Sequence, residues 1–232
     1  MKNKLKRGII LSIILLTFAG ISLGQALAAK GPMGQILDRL DSYNQRLDSL
    51  QADISMKKTD TGLGVSETKN GTTSFIPKKK GKDMYARVDW TKPDESILVV
   101  GKKYKLYQPR LNQMIVGSTD TAQSSGKVGG ALSFISMSKE ERKANFEQPA
   151  YLENESAGGR DCFHVRLTPK KKTDYKYAEI WIDSDGLPRQ SKVISSNNDS
   201  TQVTLTNVRV NQKIDRKVFE ISPPNGTKVV NQ

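Results

Sequence analysis

Apolar residues recur every three or four positions between Met33 and Leu50, at Met33, Ile36, Leu37, Leu40, Tyr43, Leu47 and Leu50. Asp38, Arg39, Asp41, Gln45, Arg46 and Asp48 fill the intervals. This spacing predicts one amphipathic helix with a single apolar face, and its mixed charges favour packing on a sheet over lying on a membrane. Beyond it the period shortens to two. Met84, Ala86, Val88 and Trp90 alternate with Tyr85, Arg87 and Asp89. Phe163, Val165 and Leu167 alternate with Cys162, His164 and Arg166, and Ala178, Ile180 and Ile182 with Tyr177, Glu179 and Trp181. Each run predicts a strand with one apolar and one mixed face, Arg87 and Asp89 pointing outward. Turn signals stand at Asn70-Gly71, Gly101-Lys102, Asp185-Gly186 and Asn197-Asn198-Asp199. The chain therefore reads as about ten antiparallel strands in sequence-adjacent hairpins, enough to curl toward a barrel.

One stretch departs from this pattern. Residues Thr119 to Gly130 are rich in Ser, Thr and Gly, and Ala131 to Met137 then Ser138 to Asn145 look helical, the second opening on a Ser138/Glu141 cap. A polar loop leading into Ala131-Leu132-Ser133-Phe134-Ile135 has the form of a lid over a cavity, or of an ordinary surface helix after a loop.

The N-terminus changes the setting. Lys2, Lys4, Lys6 and Arg7 precede a 16-residue apolar run from Gly8 to Leu23, followed by Ala26-Leu27-Ala28. That order reads as a secretory signal peptide over residues 1–28, and the run is short of the ~20 residues that span a bilayer. The expected product is one domain over residues 29–232, beginning near Ala29. It keeps 33 basic against 24 acidic side chains. In an exported protein such a basic surface meets lipid headgroups, wall polymers or acidic proteins, and nucleic acid is not an expected partner. The single cysteine, Cys162, allows no intramolecular disulfide, so an ordinary apolar core must hold the fold. No cysteine follows the leader to accept a lipid, so the chain is not expected to be a lipoprotein itself.

No catalytic constellation assembles from the residues. Cys162 and His164 share a strand face without an orienting third group, and read as ordinary strand residues. Asp183-Ser184-Asp185-Gly186 starts like a calcium loop, but Ile194 stands where the closing Glu belongs, so it reads as a hairpin turn. Phosphate loops, zinc spacings and nucleophile elbows are missing from the sequence, which leaves an exported hydrolase without machinery. The clusters Lys78 to Lys80 with Lys82, and Lys170 to Lys172, read as solvated turns.

From Asn70 onward, Gly71, Phe75, Trp90, the run Pro93-Asp94-Glu95-Ser96-Ile97-Leu98-Val99, Gly101, Tyr107, Pro109 and Gln113 resemble the outer-membrane lipoprotein carrier family. Leu167-Thr168-Pro169-Lys170, Asp185-Gly186 and Phe219-Glu220-Ile221-Ser222-Pro223-Pro224-Asn225-Gly226 with Val229 continue the resemblance in the family's order. It covers nearly all of the chain after the leader. The resemblance implies a mainly β, α+β fold: an incomplete, strongly curved antiparallel barrel whose open side is covered by helices around an apolar cavity. It also implies a monomeric periplasmic carrier with no catalytic residue, cofactor or metal. Such a carrier takes acylated lipoproteins from an ATP-driven inner-membrane extractor to an outer-membrane receptor.

The lining then expected comes from the helix (Ile36, Leu40, Leu47), from the strand Met84, Ala86, Val88 and Trp90, and from Leu98, Tyr104, Leu106 and Met114. Phe134 and Ile135 of the lid, with Phe163, Val165 and Ile180, complete it. Where the family places a lid-latching arginine, Lys82 falls nearest, and a lysine lacks the planar fork that bridges several carbonyls. Each buried CH₂ contributes roughly 0.8 kcal/mol, so a long acyl chain stands to gain about 10 kcal/mol, and release requires a lid whose opening offsets much of that. Two other readings use the same cavity: an extracytoplasmic regulator that senses lipoproteins, and a carrier of another amphiphile such as a glycolipid.

Overall fold

The alternating runs pair into one sheet. A computed structural model describes residues 31–79, 82–119, 134 and 137–232. The expected signal peptide, most of the expected lid and Ile135 lie outside the described residues.

Helix α1 (Pro32–Arg46) begins with Pro at its first turn, where the missing N–H is no loss, and carries Arg46 in its last turn. It ends four residues before the predicted Leu50. The Asn211 side-chain oxygen accepts the backbone N–H groups of Asp48 and Ser49, at 2.7 and 3.4 Å, and so draws the chain out of the helix into β1 (Leu50–Asp60). Eleven further strands follow: β2 (Val65–Ile76), β3 (Tyr85–Thr91), β4 (Asp94–Val100), β5 (Lys103–Gln108), β6 (Gln113–Ser118), β7 (Ala150–Ala157), β8 (Arg160–Leu167), β9 (Tyr175–Asp183), β10 (Pro188–Ser195), β11 (Ser200–Val210) and β12 (Lys228–Asn231). Their order is β12-β6-β5-β4-β3-β2-β1-β11-β10-β9-β8-β7, an open sheet with edges at β12 and β7. β1 and β11 join two runs of sequential hairpins, and β12 pairs with β6 in parallel; both pairings depart from an all-hairpin topology. The other short helix, α2 (Lys139–Asn145), starts on the expected capping box: Ser138 accepts the Glu141 N–H and the Glu141 carboxylate accepts the Ser138 N–H. Among the described residues no helix is long and apolar enough to cross a membrane.

Asn70-Gly71 is not a turn. It sits inside β2, and the β1–β2 hairpin reverses at residues 61–64 instead. A Cβ on Gly71 would stand 2.0 Å from the Asp89 carbonyl oxygen, so glycine is there because two strand backbones approach closely. The Asp185-Gly186 turn forms as read. Buried Asp183 accepts the N–H groups of Asp185 and Leu187 at 3.0 and 2.9 Å and an Arg189 Nε hydrogen bond at 2.7 Å. Gly186 has φ +95, and a Cβ there would lie 2.3 Å from the Arg39 carbonyl oxygen, so this turn seats α1 on the sheet.

Helix α1 lies across one face of the sheet and bridges two apolar clusters. Tyr43 and Leu47 join Leu50, Ala52, Ile54, Val88, Trp90, Leu187, Val203 and Leu205. Ile36 and Leu40 join Val165, Leu167, Ala178, Ile180 and Ile182, with Phe134 and Phe146 alongside. The opposite face of β3, expected to be open, is covered instead. A 3₁₀ turn at Arg216–Phe219 crosses it, with Phe219 against Tyr85 at 5.5 Å between ring centroids. Arg87 donates to the carbonyls of Val218 and Glu220 at 2.8 and 2.9 Å, so it anchors the C-terminal segment rather than facing solvent.

Candidate functional site

The face that carries α1 is largely apolar, interrupted by a polar group of Lys69, Glu95, Gln108 and Gln113, and its two halves differ. Under α1, Val165, Leu167 and Ile182 are 1 % exposed and Ala178 0 %. On β3 to β6 the same alternation places Met84, Ala86, Val99, Tyr104, Leu106 and Ile115 together, and of these only Val99 and Tyr104 are buried. Cross-strand pairing explains the grouping. Ala86 stands opposite Val99, Val99 opposite Tyr104, and Leu106 opposite Ile115. Side chains directly opposite on adjacent strands touch, so the four strands form one continuous apolar strip. It begins at Val88 and Trp90, which belong to the α1-covered core, and ends at Gly117, where a Cβ would press to 2.7 Å from the Tyr104 ring.

The covering layer has a polar fastening. Arg142 of α2 donates through Nη2 to Asp41 of α1 at 2.7 Å, both side chains being almost wholly buried, and Lys139 lies 3.4 Å from the same carboxylate. Asn44 donates to the Met137 carbonyl at 3.2 Å. Phe134 packs edge-on against Phe146 and Tyr175, at 5.8 and 6.0 Å. A buried ion pair of this kind adds little net stability when intact but is costly to break from one side. It therefore fixes where α2 and Phe134 sit.

The expected lining is thus divided. Ile36, Leu40, Phe134, Val165 and Ile180, with Phe163 at its margin, form the core under α1. Leu47, Val88 and Trp90 form the neighbouring cluster, and Met84, Ala86, Tyr104 and Leu106 the half-exposed strip. Leu98 and Met114 do not join them. Leu98 pairs with Arg87 and Lys105, and Met114 with Tyr107, which puts both on the opposite face. Val99 and Ile115 occupy the strip in their place. The Ile97-Leu98-Val99-Val100 run is apolar on both faces and offers no period of two from which to choose. Lys82 is exposed, and its N–H donates to the Lys79 carbonyl at 2.9 Å. Ile135 lies outside the described residues.

The remaining chemistry is muted. Burial first, then the nearby Asp183 carboxylate, push the Cys162 thiol up to about 11, leaving it protonated and a poor nucleophile at neutral pH. Burial, assisted by Asp183, likewise pushes the Tyr43 phenol up to about 12, and its hydroxyl has no hydrogen-bond partner. Two clefts of about 620 and 600 Å³ open elsewhere. The first is mixed, with Asp38, Arg39 and Asp185 beside Tyr43, Leu47 and Val210, the second mostly polar, with Asp53, Arg160 and Arg189, and neither is lined by residues of the apolar strip.

Comparison with known proteins agrees with this architecture. Residues 45–222 match the family described as outer membrane lipoprotein carrier protein LolA. An outer-membrane lipoprotein carrier protein of Xanthomonas campestris pv. campestris is 24 % identical over 212 residues, spanning 90 % of this chain and 94 % of that protein. Among solved structures, an uncharacterized conserved protein from Thermus thermophilus superposes with a TM-score of 0.55 at 11 % identity, over 86 % of this chain and 98 % of that one. The Pseudomonas aeruginosa MucA/MucB complex gives 0.51 at 12 % identity, over 82 % of this chain and 61 % of the other.

Proposed function

Since the chain belongs to the outer membrane lipoprotein carrier protein family, we propose that it is a periplasmic carrier that holds the acyl chains of lipoproteins on its apolar face and moves them from the inner to the outer membrane. The observation that carries this reading is the strip Met84, Ala86, Val99, Tyr104, Leu106 and Ile115. It continues the core beyond the reach of α1 and stays partly open. Apolar side chains left half-exposed in a row are a standing gain in free energy for any hydrocarbon that covers them, at roughly 25 cal/mol per Å². Extended acyl chains fit a strip four strands wide better than a globular partner does.

The carrier reading needs reversible loading. The division of the face supplies it: most of the apolar residues are satisfied by α1 and α2, so cargo gains only what the open strip offers. In this account residues 1–28 are the export signal, residues 29–232 the working domain, and the donor and acceptor are membrane complexes at either side of the periplasm.

The test uses spheroplasts with a radiolabelled acylated lipoprotein. The purified protein is expected to release the lipoprotein into the supernatant as a one-to-one complex and to pass it to outer-membrane vesicles. Binding without onward transfer would favour a lipoprotein-sensing role instead. Failure to take up any acylated species would end both readings.

A further inference from the structure

The face of β7, β8 and β9 that points away from α1 holds a polar cluster with no part in the acyl-binding reading. His164 is 7 % exposed, and neither of its ring nitrogens has a hydrogen-bond partner. Its Nδ1 points at two carboxylates of the edge strand: Glu155 Oε2 at 3.3 Å and Glu153 Oε1 at 3.9 Å. On its other side, Nε2 faces Glu179 Oε2 at 3.5 Å, and Glu179 is held through Oε1 by Arg166 Nη2 at 2.9 Å. The Trp181 ring stacks on the imidazole at 4.0 Å, and Trp181 Nε1 donates to Glu155 Oε2 at 2.8 Å. Cross-strand register builds the arrangement, with Glu153 opposite His164 and His164 opposite Trp181.

We propose that Glu153, Glu155 and His164 form a site for a divalent transition-metal cation of the zinc class. One ligand atom from each residue lies within 4.8 Å of the others. In a tetrahedral zinc site with bonds of about 2.0–2.2 Å, ligand atoms stand roughly 3.3–3.5 Å apart. The His164–Glu155 separation already meets that spacing, and Glu153, with an exposed side chain, needs only a small rotation. A nitrogen with two carboxylate oxygens suits zinc or its neighbours better than calcium or magnesium, which take oxygen sets. The surroundings match a second layer of support: a metal-binding imidazole commonly turns its other nitrogen to a carboxylate, here Glu179. Three carboxylates face one buried imidazole, and Arg166 pairs with Glu179 alone among them, so a cation at Glu153 and Glu155 relieves their mutual repulsion. By binding β7 to β8, the ion clips the exposed edge strand to the sheet.

The test is calorimetric titration of chelator-stripped, tag-free protein with Zn²⁺, paralleled by quenching of Trp181 fluorescence with Cu²⁺. One ion per chain is expected at micromolar concentrations, with a rise in melting temperature. His164→Gln and the double variant Glu153→Gln/Glu155→Gln are each expected to weaken binding more than about tenfold, and Glu179→Gln about tenfold with the same stoichiometry. The double variant alters two exposed side chains, so its fold, checked by circular dichroism, is expected to be intact. Glu140→Gln/Glu147→Gln, remote but equal in charge change, is expected to bind as wild type. Absence of saturable Zn²⁺ binding below about 100 µM overturns the proposal, because a site of this class works at lower concentrations. Unchanged binding in the His164 or double variant, or equal loss in the remote control, overturns it as well.

Discussion

The two halves of the apolar face are built from the same materials. Both present alternating Val, Ile, Leu, Ala and aromatic side chains from antiparallel strands, yet those under α1 are sealed while Met84, Ala86, Leu106 and Ile115 on β3 to β6 stay half-exposed. The strands do not cause the difference. Among the described residues it comes from what lies over them: α1, fastened to α2 through Asp41 and Arg142, packs on one half only. In this fold the covering layer decides whether the apolar surface of a strand is sealed or left partly exposed, and the same residue types occur in both halves.

The comparison breaks most directly at its fastening. Arg142→Met leaves the Asp41 carboxylate buried with only the more distant Lys139, and is expected to cost about 3–5 kcal/mol in urea unfolding. If the covering layer is what separates the halves, the same variant binds an environment-sensitive fluorescent fatty acid more strongly than wild type below its unfolding midpoint. Next in size is a matched pair. Ile180→Ala, in the sealed half, is expected to cost about 2–5 kcal/mol and leave fatty-acid affinity nearly unchanged. Leu106→Ala, in the open strip, should cost well under that and weaken binding several-fold. Equal stability losses would show that the halves are not distinct.

A third prediction sharpens the division by charge. Ala86→Glu is expected to fold, since the position is half-exposed, but to lose fatty-acid binding at least tenfold, because acyl chains cannot pack over a carboxylate without dehydrating it. Arg87→Glu, one residue along on the other face, should leave binding intact but loosen the C-terminal segment. Increased proteolysis near Val218 would report this.

The smallest effect concerns Tyr43, between the helix and the sheet. Its folded-state phenol titrates at about 12, above the ordinary value of 10.0, so the stability it contributes is complete below pH 10 and lost as pH rises toward 12. Tyr43→Phe removes an unpartnered hydroxyl and is expected to be close to neutral at pH 7 while flattening that alkaline loss. Urea midpoints at pH 7 and pH 11 measure both.

Much of this was readable from periodicity. The helix, the strand faces at Ala86, Val165 and Ile180, the Ser138 cap and three of the four turns follow from local spacing, because each is decided by residues close in sequence. What periodicity missed depends on partners far along the chain. Leu98 and Met114 sit in runs without alternation, so only pairing with Arg87 and Tyr107 assigns their face. Gly71 looks like a turn glycine until Asp89 is brought against it. Arg87 looks solvent-facing until residues 216–220 cross over it. The Asp41–Arg142 pair and the surroundings of His164 are likewise invisible before the strands are ordered.

The pairing of β1 with β11 has a kinetic meaning. On one side of it β2 to β6 form by successive hairpins, and on the other so do β7 to β10; the seam joins Leu50 to Val210 and Ile54 to Leu205 across most of the chain. Sequence-local hairpins form in microseconds, whereas contacts between distant residues must first overcome the entropy of a long closed loop. The two meanders are thus expected to form early and marginally, and closing the seam, which buries Ile54, Val203 and Leu205, to be the slow cooperative event. Amide protons along β1 and β11 are then the last to exchange, reporting global unfolding while the outer strands β7 and β12 open locally at far lower cost.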